Sequence, residues 1–162
     1  MRILITNKEN FDRLLSNSGI NKWNVEEQDD IFFISINNPR DKQEPYLENA
    51  ENAIVLFFDD VDKDFEVPDI KTREKLLLKA FTKEQAQQLF YFVTKHKDKE
   101  NCVIHCEAGV SRSGAVGKFI CDYLRLDQLQ FMQQNPYINP NTHVLRLLRN
   151  AHRDHSLSLI EI

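Results

Sequence analysis

The segment from Cys102 to Leu126 constrains this chain more than any other. It opens on the apolar run Cys102-Val103-Ile104. It passes through His105-Cys106-Glu107-Ala108-Gly109-Val110-Ser111-Arg112-Ser113-Gly114 and continues as a helix-like run to about Leu126. A buried strand, a short polar loop and an amphipathic helix follow one another without a linker, the unit from which α/β sheets are built. The rest of the chain repeats that alternation. Strands are predicted over Arg2–Thr6, Asp30–Ile36 and Ala53–Phe58. Helices are predicted over Asn10–Ser16, from Thr82 onward, over Ser111–Leu126 and over Thr142–His152. The expected fold is a single α/β domain over residues 1–162. Its central sheet is mostly parallel, with helices on both faces, and the loop lies between a central strand and a helix.

Local signals sharpen several boundaries. Thr82 with Gln85 forms a capping box, and Ala86, Leu89, Phe90 and Val93 follow at helical spacing. In the helix after the loop, Ala115, Val116, Phe119, Ile120, Tyr123 and Leu124 are expected to face inward. Asn37-Asn38-Pro39 and Pro136 to Asn141 read as turns. Arg40–Asn52 reads as loop, residues 59–72 as an irregular surface segment, and the tail after His155 as loose. Glu74–Lys79 fits helix and strand equally.

The chain of 162 residues can bury a core without metal or disulfide support. Its net charge of −4 lacks the basic excess of a nucleic-acid binder, so no nucleic-acid partner is expected. The three cysteines, Cys102, Cys106 and Cys121, make a poor disulfide framework and point to a reducing compartment. No CxxC pair occurs and the histidines are scattered, so neither a metal nor another cofactor is expected. No signal-like segment or membrane-length apolar run is present, and a cytoplasmic location without membrane attachment is expected.

The loop itself carries the chemistry. Cys106 and Arg112 stand at its two ends with five residues between them. A free thiol has a pKa of about 8.5 and is mostly protonated. Here the amides from Glu107 through Ala108, Gly109, Val110 and Ser111 to Arg112 can point inward as an anion-binding nest. The helix N-terminus adds partial positive charge and Arg112 a full one. Such settings bring thiol pKa values to roughly 3.5–7.5. The same groups suit the oxygens of a phosphate, to which a guanidinium can donate two parallel hydrogen bonds. Gly109 fits a position of unusual dihedral or close backbone approach. Ser113 can steady a departing thiolate. A phosphate, sulfate or vanadate ion is expected in the loop. Cys102, four residues before Cys106 on the same strand face, reads as a buried thiol, with a reversible disulfide to Cys106 as the alternative.

His105 to Ser113 resembles the signature loop of the cysteine-based protein tyrosine phosphatases: His-Cys, five residues, Arg, then Ser or Thr. Gly109-Val110-Ser111-Arg112-Ser113 is most similar to the compact dual-specificity branch. Ile34-Ser35-Ile36 with its Pro-containing loop, Val55–Asp60, and Pro140-Asn141 with its helix resemble small bacterial and phage members. The resemblance implies attack by Cys106, a phosphocysteine intermediate and its hydrolysis by water. It also implies an aspartate proton donor on a loop after an upstream strand. The chain departs from the family's Trp-Pro-Asp form and offers Asp59, Asp60, Asp62 and Asp64. Asp60 is preferred, with Asp59 second, because a Phe-Asp-Asp corner occurs in phosphatases of regenerating liver, where the second aspartate is the acid. Asn141 resembles the asparagine that braces the loop, and it also suits a helix N-cap. His105 is expected to hydrogen-bond near the sulfur or the loop backbone.

The expected substrate is a phosphorylated protein or peptide. Phosphotyrosine is preferred, and a shallow pocket leaves room for phosphoserine and phosphothreonine. Glu107 opposes a highly charged lipid headgroup. Two other classes compete. A phospho-binding protein without turnover would keep the cradle and lack a working acid. Arsenate-reducing or sulfur-transfer enzymes have a similar loop, but small arsenate reductases carry it near the N-terminus.

Overall fold

A computed structural model describes residues 1–41 and 45–160. Four parallel strands form the central sheet: β1 (Arg2–Asn7), β2 (Ile31–Asn37), β3 (Ala53–Phe57) and β6 (Asn101–Cys106). Their order is β1-β6-β2-β3, so β6 is flanked on both sides. Its register sets Thr6 and Ser35 beside His105, and Asn7 beside Cys106. The mixed α/β architecture with a central parallel sheet agrees with the sequence expectation.

Strand alternation divides the core into two layers. Phe32, Ile34, Ile36, Cys102, Ile104 and Cys106 pack with α3 (Lys83–Lys95), α4 (Arg112–Tyr123), α5 (Gln128–Gln134) and α6 (Thr142–Ile160). Phe33 and Val103 face the other way, onto Phe11 and Leu15 of α1 (Lys8–Asn17). Phe32, Phe33 and Ile34 are wholly buried. Each contributes about 1.5–3 kcal/mol of transfer free energy. α3 begins at the expected capping box, with Thr82 accepting from the Gln85 amide and the Gln85 side chain accepting from the Thr82 amide.

The structure departs from the sequence expectation in four places. Residues 59–72 are not wholly irregular: Phe65–Pro68 (β4) pairs antiparallel with Lys75–Leu78 (β5), which also settles Glu74–Lys79 as strand. This ribbon is exposed along much of its length and has no Asn-Gly or Asp-Gly turn, so neither alternation nor turn chemistry announces it. The expected loop over Arg40–Asn52 holds one helical turn, Pro45–Glu48 (α2), and its residues 42–44 lie outside the described residues. Helix α5 buries only Phe131, too little for a readable stripe. The tail after His155 is not loose, because α6 continues to Ile160. No helix among the described residues is long and apolar enough to cross a membrane.

Candidate active site

Parallel strands end at a common sheet edge, and the loops leaving them converge there. β1 runs into α1 at Asn7, β2 into the turn Asn38–Asp41, β3 into the acidic corner after Phe57, and β6 into the signature loop.

Cys106 is the last residue of β6 and is 2% exposed. Its Sγ lies 3.1 Å from Ser113 Oγ and accepts a hydrogen bond from the Gly109 amide at 3.3 Å. Burial pushes the thiol up. The Ser113 hydroxyl, with the amides of Ser113, Val110 and Gly109, outweighs burial and holds Cys106 below the ordinary thiol value. The loop turns through Gly109 at φ +71°. A Cβ there would lie 2.6–2.8 Å from backbone atoms of Thr6 and Asn7. Glycine therefore serves both the left-handed dihedral and the close approach of β1. The Lys8 amide donates to the Glu107 carbonyl at 3.3 Å, and the Glu107 and Ala108 side chains face solvent.

Arg112 opens α4 and is 5% exposed. Its Nη1 donates to the Phe58 carbonyl at 2.7 Å and to Asn38 Oδ1 at 2.8 Å. Its Nε is buried and has no hydrogen-bond partner. A buried N–H left unpaired costs about 1–3 kcal/mol, and an anion seated in the loop would satisfy it.

His105 precedes Cys106 at the end of β6. Its Nε2 is 2.6 Å from Ser35 Oγ, which accepts from Asn37 Nδ2, and its ring lies 4.2 Å from that of Phe11. Burial lowers its pKa to about 4, the hydrogen bond to the Cys106 carbonyl opposes this, and the charges of Lys8 and Arg112 add to it. His105 is therefore neutral at pH 7.

The acidic corner is divided by geometry. Asp59 is buried, accepts from Arg40 Nη2 at 2.8 Å, and is tied to Lys79 by backbone and side-chain hydrogen bonds. Asp64 accepts from the Ala80 amide and pairs with Lys79. Asp62 is exposed on the same loop. Asp60 is exposed and turned to the signature loop: its Oδ1 accepts from Ser111 Oγ at 2.8 Å and from Asn141 Nδ2 at 2.7 Å. The Asn141 amide donates to the Ser111 carbonyl, and its Oδ1 accepts from the Val144 amide. One side chain thus braces the acidic corner and caps α6. Among the described residues no group of three or more His, Cys, Asp or Glu side chains is disposed to hold a metal ion.

No family model and no curated protein matches the chain. Solved structures do. Cydia pomonella PTP-2 phosphatase aligns at TM-score 0.55 and 15% identity, over 93% of this chain and 85% of that one. PTPMT1 aligns at TM-score 0.52 and 14% identity, over 99% and 96%. PTPMT1 in complex with PI(5)P aligns at TM-score 0.51 and 13% identity, over 98% and 94%. The chain has a protein tyrosine phosphatase fold of the dual-specificity-like kind. Within this phosphatase fold the tertiary arrangement adds Ser35, Asn37, Asn38 and Arg40 to the residues around the loop. In the sequence, Asn37-Asn38-Pro39 reads as a turn, and Ser35 with that Pro-containing loop enters only as part of the family resemblance, with no role at the site.

Proposed function

We propose that this chain is a metal-independent phosphomonoesterase working through a phosphocysteine, with phosphotyrosine in proteins or peptides as the preferred substrate and Ser/Thr phosphoesters also admitted. The observation that carries this reading is the pairing of a thiol held below its ordinary pKa with a buried guanidinium whose Nε lacks a partner. The Gly109 and Val110 amides are turned to the Cys106 sulfur. Phosphate oxygens would take those amides and the open edge of Arg112, which places phosphorus over Cys106 Sγ.

The sulfur attacks phosphorus, and the ester oxygen leaves with a proton from Asp60. Both neighbouring donors meet Asp60 Oδ1, which leaves Oδ2 to carry that proton. Water then attacks the phosphocysteine, Asp60 takes its proton, and the thiolate departs toward the Ser113 hydroxyl. Asp59 is a poor second choice because Arg40 and Lys79 already engage it. The flanking cations Lys8 and Arg40 are paired with Asp41 and Asp59, and Glu107 is exposed. That charge pattern favours a single phosphate on a protein over a multiply phosphorylated headgroup.

The test is hydrolysis of an aryl phosphate with a chelator present. Turnover should persist, be blocked by vanadate and vanish in Cys106→Ser. Asp60→Asn should lower kcat about 100-fold or more. Oxyanion binding without turnover would favour a phospho-binding protein. Full activity in Cys106→Ser would end the thiol mechanism.

A further inference from the structure

The guanidinium of Arg112 can hold a phosphate bidentately from either of two edges, Nε–Nη2 or Nη1–Nη2. Nothing in the loop sequence dictates which edge faces the cradle. The turn after β2 does. Asn38 starts that turn, and Asp41 closes it: the Asp41 amide donates to the Asn38 carbonyl at 3.0 Å, and the Asn38 amide donates to Asp41 Oδ2 at 3.1 Å. Pro39 occupies the second position, where its fixed φ favours such a turn. The closed turn fixes Asn38 Oδ1 at 2.8 Å from Arg112 Nη1. The Phe58 carbonyl, 2.7 Å away, takes the same nitrogen. With Nη1 engaged twice, rotation of the guanidinium about its stem is blocked. The partnerless Nε shares the remaining edge with Nη2.

We propose that Asn38 is a positioning residue that orients Arg112 for an oxyanion, and that its neutral amide matters because it holds Nη1 without cancelling the guanidinium charge. A carboxylate at the same place would hold Nη1 as well or better and would compete electrostatically with the incoming anion. The inference rests on the oxyanion-cradle part of the proposed function and is independent of turnover.

The test measures calorimetric affinity for inorganic phosphate, with the thermal midpoint, in the parent, Asn38→Ala and Asn38→Asp. Aryl phosphate kinetics are read in parallel. Asn38→Ala should weaken phosphate binding about tenfold or more. Asn38→Asp should weaken it at least as much while keeping or raising the midpoint. A purely structural Asn38 predicts the opposite for the isosteric aspartate, namely parental affinity. Parental phosphate affinity in either variant would overturn the proposal. A parent that binds phosphate without hydrolysing aryl phosphate would sink the hydrolase reading while the Asn38 comparison stands on binding. A parent that binds no phosphate would sink both.

Discussion

A thiol as deeply buried as Cys106 would ordinarily be a weak acid, since burial disfavours the thiolate. Cys102, wholly buried on the same strand, follows that rule, and burial pushes its thiol well up. The two differ in what surrounds the sulfur: Cys106 has a hydroxyl and several amides. Ser113→Ala should therefore raise the Cys106 titration, and alkylation by iodoacetamide between about pH 5 and 9 would read the shift. An unmoved profile would show that the amides alone set it. Cys102 and Cys106 are also separated by four residues of strand, about 13 Å. A disulfide needs Cα atoms within about 7 Å, so the bridge considered from the sequence would require β6 to come apart.

At the scale of elements, the site is made where loops press on one another. Gly109 is one such place, with β1 backbone lying against it. Gly109→Ala adds both a strained dihedral and a backbone collision, so the loop must move away from β1. Activity should fall by about two orders of magnitude or more, because catalysis depends on sub-ångström placement. Circular dichroism should stay near the parental spectrum. A variant of parental activity would mean that the loop tolerates displacement. The acidic corner has its own anchor. Asp59 joins Arg40 on one side to Lys79 at the foot of the β4–β5 ribbon on the other, and Asp60 projects from that fixed neighbour.

The whole molecule protects its sheet and its site with a few buried polar side chains. β1 is an edge strand, and Asn135 at the end of α5 covers part of it. Asn135 Oδ1 accepts from the Ile5 amide, and its Nδ2 donates to the Ile3 carbonyl, both at 2.9 Å. Asn135→Ala leaves both groups without that partner and should cost about 2–4 kcal/mol in urea unfolding. A loss below about 0.5 kcal/mol would show that water replaces the amide easily. His105 links stability to pH. Its folded value near 4 lies below the ordinary 6.5. Between those values the unfolded chain binds a proton that the folded chain does not, so stability falls as pH drops through that window. The loss is on the order of 3 kcal/mol. Urea unfolding at pH 7 and 4.5 should give a smaller difference in His105→Asn than in the parent.

The local features were legible because each is carried by neighbouring residues. Strand β6, the loop from Cys106 to Arg112, the Thr82 capping box and the apolar stripes of α3, α4 and α6 repeat at spacings that backbone geometry fixes. The ribbon, α2 and α5 were not legible: the ribbon is largely exposed, α2 is a single turn, and α5 buries only Phe131, so none of them carries a periodic signal. Four aspartates in one corner looked alike for a different reason: a carboxylate's partner can lie far away in the chain. Asp59 meets Arg40 and Lys79, whereas Asp60 meets Ser111 and Asn141, 51 and 81 residues away. The sequence alone determined a thiol and a guanidinium on one loop between a strand and a helix. Tertiary structure decided which aspartate faces that loop and which edge of Arg112 stays open, because both depend on contacts between loops that meet only when the parallel strands end together.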